Sequence, residues 1–131
     1  MSTTYADIRE TIEPHVASEW GSATEIAWPN APFTPPEDEA WIQISILPGA
    51  ATAATLGPNG NNHVPGLVHV NVFVPKDNGS AQAWELVDAV RDLFNRRTVG
   101  NIRFRAPDPT PAITEGNWMQ VPVLCPFEVY E

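Results

Sequence analysis

The chain has 131 residues, 14 prolines, one cysteine and a net charge of −9 at pH 7, which suits a single domain, residues 1–131, with its own core. The acidic balance argues against general binding to nucleic acid or to an anionic membrane. The single cysteine excludes an internal disulfide and fits a reducing compartment, and no apolar run approaches the roughly 20 residues that span a bilayer.

The first predicted element is a helix, Thr4–Val16. Pro14 has no amide hydrogen and would clash with the carbonyl of Glu10, so we expect the helix to end near Glu13 or to kink there. The apolar residues recur at spacings of three and four and share one face: Tyr5, Ile8, Ile12 and Val16.

Three strands are predicted next. Thr24–Trp28 leads into an extended arm, because a residue before a proline is pushed away from helical geometry. The alternation of Trp41–Leu47 and of the valine-rich Leu67–Val74 is typical of strands. Between them, the uncharged Gly49–Gly66 is either a flexible hairpin tip or two strand extensions around a turn at Gly57–Asn62.

A second helix is predicted to follow the KDNGS turn. Ser80 is a good N-cap, and the helix would run to about Arg96. A pair between Asp92 and Arg96 at helical spacing would add only a few tenths of a kcal/mol. The helix is expected to bury Ala83, Trp84, Val87, Val90 and Phe94.

The C-terminal third predicts two strands around a stiff connector, Ala106–Pro111. The strands are Ile102–Arg105 and Trp118–Tyr130. Pro122 and Pro126 share one parity in the last strand, and proline cannot serve a ladder from within a sheet. We therefore expect that strand at a sheet edge, or bulged. The whole pattern predicts an α+β fold, with an antiparallel or mixed sheet of about four to five strands and two helices, one packed across a sheet face.

We expect no catalytic residue, cofactor or metal. Cys125 with His63 or His69 would combine a nucleophile and a base, but Cys125 shares its parity with apolar residues and fits an inert core thiol. The run Glu37–Glu39 lacks the spacing of a calcium loop and fits a solvated loop. A zinc site would require His15 to converge with the other two histidines from a different element.

Two features point to contact with other molecules. Trp20, Trp28 and Trp41 flank loops and suit interface anchors, although core packing is the more common role for each. Trp84 and Trp118 fit core or sheet-face roles. Five of the seven basic residues are also close in sequence: Arg91, Arg96, Arg97, Arg103 and Arg105. Three interpretations stay open for them: pairing with local carboxylates, contact with an acidic patch of a neighbouring subunit, and contact with nucleic acid.

The order of these elements resembles the tail terminator, or tail completion, proteins of long non-contractile-tailed phages and gene transfer agents. The resemblance rests on the N-terminal helix, then IAWPNAPFTPP, AWIQISILPG, GLVHVNVFVPKDNG and a helix ending LFNRR. The family's aromatic and proline-rich arm corresponds to Trp28, Asn30, Phe33 and Pro35. The PKDNGS turn has one glycine where relatives often have two.

The resemblance implies a structural virion protein of the tail or neck, assembled in the host cytoplasm, with no enzymatic activity. It implies a ring-forming fold whose hexameric ring caps the tail tube, stops its polymerisation and joins it to head-completion proteins, while DNA passes through the lumen. The arm Pro29–Glu39 and the loop Gly49–Gly66 are then either contact surfaces or ordinary surface loops. The candidate interface residues are Trp28, Asn30, Phe33, Trp41, Leu56, Asn59, Asn61, His63, Arg96, Arg97, Arg103 and Arg105.

Two alternatives remain from the sequence. One is a tail tube or head–tail connector subunit, which sequence distinguishes poorly from a terminator. The other is a small intracellular α+β ligand-binding domain or enzyme with a pocket between helix and sheet. That class requires a convergent polar cluster, for which the face of His69 and Asn71 is the best candidate.

Overall fold

Two helices and nine strands form the described part of the chain. The computed structural model describes residues 4–54, 57, 60–77 and 79–130. The elements, in chain order, are α1 (Tyr5–Trp20), β1 (Glu25–Ala27), β2 (Trp41–Pro48), β3 (Thr52–Ala53), β4 (Asn62–Pro75), α2 (Ala81–Phe94), β5 (Thr98–Val99), β6 (Ile102–Phe104), β7 (Asp108–Pro109), β8 (Ile113–Glu115) and β9 (Trp118–Tyr130). The α+β class with two helices is confirmed. The prediction of about four to five strands is wrong, because strands of two or three residues are too short to show alternation.

The strands form one mixed sheet. Its main path is β1-β2-β4-β9-β6-β5, with β3 paired to β4 and with β7 and β8 paired to β9. β1 and β2 are parallel, and the other pairs are antiparallel. The longest ladder joins β4 and β9, from His63 opposite Tyr130 to Pro75 opposite Trp118. The order places β1 and β5 at opposite ends of the path.

The main core lies between one sheet face and the two helices. The alternate residues of β4 that face the helices are at most 1% exposed, and α2 packs on β4 and β9. Full burial of each such valine is worth about 1.5–3 kcal/mol, so this face accounts for much of the stability. Its β4 members are Val68, Val70, Val72 and Val74.

Helix α1 continues through Pro14 to Trp20, so the predicted end near Glu13 is wrong. Tertiary contacts outweigh the lost hydrogen bond, because Val16 and Trp20 are buried and His15 Nε2 donates to the Leu93 carbonyl at 2.8 Å. Pro14 itself is on the exposed side, where water can hydrate the carbonyl that loses its partner. At the other end, Thr4 forms a capping box with Asp7, which the sequence reasoning missed.

Strand β9 is central, so the prediction that its prolines mark a sheet edge is wrong. It pairs with β4 along its whole length and with β6, β7 and β8 on its other side. The carbonyls of Pro122 and Pro126 accept hydrogen bonds from Thr110 N at 2.8 Å and Arg105 N at 3.0 Å. In an antiparallel strand the N–H and C=O of a residue point to the same side. Both missing donors therefore face the short strands, and the long ladder with β4 keeps its bonds.

Three further expectations are decided by the structure. The segment after β2 forms strand extensions, because β3 pairs with Asn62 and His63 at the start of β4. In α2, Trp84 is 44% exposed, so the prediction that it is buried is wrong. Leu93, which was not among the predicted core residues, is buried instead. Helix α2 ends at Phe94, and Arg96 has a φ of 54°, so the predicted helical pair with Asp92 does not form.

Candidate interaction surfaces

Four of the sequence-predicted interface residues come together in one place. The arm that follows β1 folds back over the start of β2 and leaves a depression of about 480 Å³ there, called the arm depression below. Asn30 turns the arm with a φ of 53°, a left-handed conformation that asparagine adopts more readily than most residues. The predicted residues that line the depression are Trp28, Asn30, Phe33 and Trp41.

The floor of the arm depression is an aromatic cluster on the sheet face opposite the helices. Trp41 and Phe73 are directly opposed on β2 and β4, and their rings stack at 3.9 Å with an interplanar angle of 1°. Phe33 packs on Trp41 at 5.0 Å, and Trp118 meets it edge-on at 5.9 Å. Such aromatic pairs add about 0.5–1.5 kcal/mol each beyond the area they bury. Trp41 is only 7% exposed, so it fixes the arm to the sheet.

Two buried polar atoms on this sheet face lack hydrogen-bond partners in the part of the chain that is described. They are Trp41 Nε1 and Asn71 Oδ1. Leaving a buried donor or acceptor unpaired costs about 1–3 kcal/mol each. On the face that suggested a ligand pocket, Asn71 thus contributes one unsatisfied amide oxygen.

A second group forms around Glu128. His63 Nε2 donates to Glu128 Oε2 at 3.1 Å, and Arg105 Nη2 lies 3.4 Å from the same oxygen. The hydrogen bond from His63 is the largest cause that lowers the pKa of Glu128, and the charges of Arg105 and Arg103 add to it. His63 also packs against Tyr130 at 5.1 Å. Sequence reasoning found His63 and Arg105 but missed Glu128, whose only signal was an acid at an outward position of an otherwise uncharged strand.

The arginine cluster divides into two parts. Arg91 and Arg97 have local partners, since Arg91 Nε donates to the Pro107 carbonyl at 3.1 Å and Arg97 lies 3.5 Å from Glu19. The remaining three arginines line a depression of about 420 Å³ beside β6, together with Thr98, Phe104 and Ala106. We call this surface the basic edge, and define it by Arg96, Arg103 and Arg105.

Leu56 and Asn59 lie outside the described residues. Asn61 is exposed at the turn that leads into β4, where its carbonyl accepts a hydrogen bond from Ala54 N at 2.8 Å. The structure therefore groups the candidates into the arm depression, the basic edge with the neighbouring His63, and the hairpin tip. Arg97, which pairs with Glu19, does not belong to the basic edge.

The chemistry of Cys125 is that of a core thiol. Its side chain is fully buried, and desolvation raises its pKa to about 12. Cys125 is opposite Val68 on the helix-facing side of the sheet, whereas His63 and His69 have the other parity on β4. Within the described ranges, no three His, Cys, Asp or Glu side chains are grouped as a metal site would require. No helix in these ranges has the length and apolar character to cross a membrane.

Comparisons with known proteins agree with this architecture. One solved structure superposes with a TM-score of 0.74 at 22% identity, over 98% of this chain and 96% of that one, which shows a shared fold. A search of curated proteins found no match. The family model described as "Phage tail terminator protein" matches residues 7–127, from the first turn of α1 to near the end of β9. The chain therefore belongs to the phage tail terminator family, and is a structural component of a phage tail.

Proposed function

We propose that this protein, acting as one domain, forms a hexameric ring that caps the tail tube of a long non-contractile tail. The ring stops polymerisation of the tube and presents the surface that joins the head-completion proteins. The family match over residues 7–127 is the observation that carries this proposal, because it spans both helices and every strand of the central sheet. The same membership indicates a non-enzymatic role.

The surfaces on the molecule suit such a ring. A closed ring built head to tail needs two different, complementary surfaces on each subunit. The arm depression lies at the β1 end of the sheet and the basic edge at the β5 end, so the two are separated by the width of the sheet. A net charge of −9 also suits a lumen through which DNA slides without being held.

We assign the contact with the tail tube to the hairpin between β2 and β4. Its tip carries no charge from Gly49 to Asn62, and Leu47 at its base is 51% exposed. An uncharged tip with an exposed leucine can bury apolar area on a partner at little desolvation cost. On this assignment, replacing Leu47 by Lys should abolish capping and leave ring formation intact.

The proposal is tested first by the mass of the purified protein. Light scattering across a concentration series should give six subunits, and negative-stain images of the same fraction should show a ring with a central hole. Assembly of that ring only on the ends of tubes also agrees with the proposal. Open-ended tubes of this protein alone would identify a tail tube protein instead. A monomer or dimer that ignores tube ends would contradict any role as a cap.

A further inference from the structure

We propose that copies of this chain join through opposite ends of the sheet, the acidic arm of one copy lying against the basic edge of the next. The partner is a second copy of the same chain. The inference rests on the proposed ring and specifies its subunit joint. It combines a charge pattern with an open strand at each end of the sheet.

The acidic surface is built at the start of β2. Glu37, Asp38 and Glu39 are all exposed in the last turn of the arm, two or more residues before Trp41. The parallel pairing of β1 with β2 places the exposed Glu25 opposite Trp41, at the same corner. In the described part of the chain, none of these four carboxylates forms an ion pair within 4.0 Å. Their charge is therefore left for a partner.

The basic edge is the complement of this corner. Neither Arg96 nor Arg103 forms an ion pair within the described ranges, and Arg105 keeps 72% of its side chain exposed despite its contact with Glu128. The chain has only seven basic residues against 16 acidic ones, so three exposed arginines on one surface are a strong local exception. Opposite charges on two surfaces of one chain favour head-to-tail contact and disfavour contact between like surfaces.

The two end strands of the sheet also lack a second strand partner among the described strands. β1 pairs only with β2 and β5 only with β6 among the described strands, so each end presents unpaired N–H and C=O groups.

A second copy fits these features better than DNA does. The phosphate backbone would meet the basic edge but would be repelled by the remainder of a chain with a net charge of −9. DNA would also leave the acidic corner without a role. A copy of the same chain uses both surfaces at once, and repeats the contact around a closed ring.

The test uses two charge-reversal variants of the full chain. The edge variant carries Arg96→Glu and Arg103→Glu, and the arm variant carries Glu37→Lys and Glu39→Lys. Neither variant touches the core, and Arg105 is kept because it pairs with Glu128. Arg103 lies opposite Glu128 in the ladder without an ion pair, so the melting temperature of the edge variant is measured to confirm that it folds. Exposed charges on the outer side of α2 give the controls, Glu85→Lys and Asp88→Lys. Association is measured by sedimentation velocity, and on tail tubes if the wild type assembles only there.

Each variant alone should associate at least about 100-fold more weakly than the wild type, since juxtaposed like charges cost several kcal/mol, while the controls should be unchanged. Mixing the two variants in equal amounts should restore assembly, because each reversed surface then meets its reversed complement. Because each variant can contact only the other, the two must alternate around the ring. A mixed ring therefore has an even number of subunits, which a hexamer satisfies.

The failures of the joint and of the ring are distinguishable. Rings that form from either variant alone as readily as from the wild type would overturn the joint and leave the capping function standing. A mixture that stays dissociated would also overturn it, as would an edge variant that loses DNA binding and keeps its ring. A wild-type chain that neither associates nor caps tubes would contradict the proposed function itself.

Discussion

Gly66 lies beneath the ring of Phe127 on the helix-facing side of the β4–β9 ladder, where the two residues are directly opposed. A Cβ added at Gly66 would clash with Phe127 Cζ and would lie 2.9 Å from both Cε atoms of the same ring. Ordinary contacts of this kind are about 1 Å longer, and Phe127 is only 2% exposed, so its ring cannot move into solvent. We expect Gly66→Ala to destabilise the fold by about 2–3 kcal/mol, as overpacking of a tight core does.

The assay is urea unfolding followed by tryptophan fluorescence, at a concentration where both proteins share one association state. The same loss lowers the melting temperature of a chain this long by about 7–11 °C. Phe127→Leu, which shortens the blocking side chain, serves as the control. In a double-mutant cycle, Gly66→Ala should lower the free energy of unfolding much less in the Phe127→Leu protein than in the wild type. A cost of Gly66→Ala below about 0.5 kcal/mol would refute the close packing described here.

Three further predictions follow from the described contacts. With its pKa raised to about 12, Cys125 should stay unreactive to a thiol reagent at pH 8 in the folded protein and react at once in denaturant; labelling before unfolding would contradict its burial. The pKa of Glu128 in the folded protein is lower than the 4.5 of a free glutamate. The ionised Glu128 therefore stabilises the fold above pH 4.5, and this stabilisation is lost as the pH falls from 4.5 through the lower pKa of the folded protein. Glu128→Gln should therefore weaken the acid dependence measured by unfolding at several pH values, and an unchanged profile would count against the contact with His63. Thr4→Ala removes the capping box of α1 and should cost about 1 kcal/mol in the same assay, whereas Ser80→Ala, which removes no side-chain cap, should cost much less.

The long elements could be predicted from the sequence because periodicity extends over enough residues to be visible. β2, β4, α2 and β9 were predicted within a few residues of their observed bounds, β4 being the least complete at its N-terminal end. The two-residue strands β3, β5 and β7 have no period to detect. β3 and β7 form by pairing with longer strands elsewhere in the chain, whereas β5 forms a tight hairpin with the adjacent β6.

Prolines were the main source of wrong predictions. The local rules for Pro14 and Pro122 are correct about the hydrogen bond that each one loses. They do not say on which side of the helix or strand that loss falls, which depends on tertiary packing. Pro14 faces solvent, and Pro122 faces the short strands beside β9, so both losses are tolerable.

The candidate surfaces were only partly predictable. Trp28, Phe33 and Trp41 were chosen for their type and position, and they do converge on the arm depression. The opposition of an acidic corner and a basic edge was not predictable, because it depends on the strand order. Only the path from β1 to β5 shows that Glu37 and Arg103 lie at opposite ends of the sheet.

The proposed termination of tail tubes is tested best by the length of tubes grown in the presence of this protein. Tail tube protein is polymerised with increasing amounts of the purified chain, and tube lengths and ends are recorded by electron microscopy. We expect shorter tubes as the ratio rises, each bearing one ring at one end. Tubes of unchanged length with bare ends, or tubes that incorporate the chain along their walls, would contradict it.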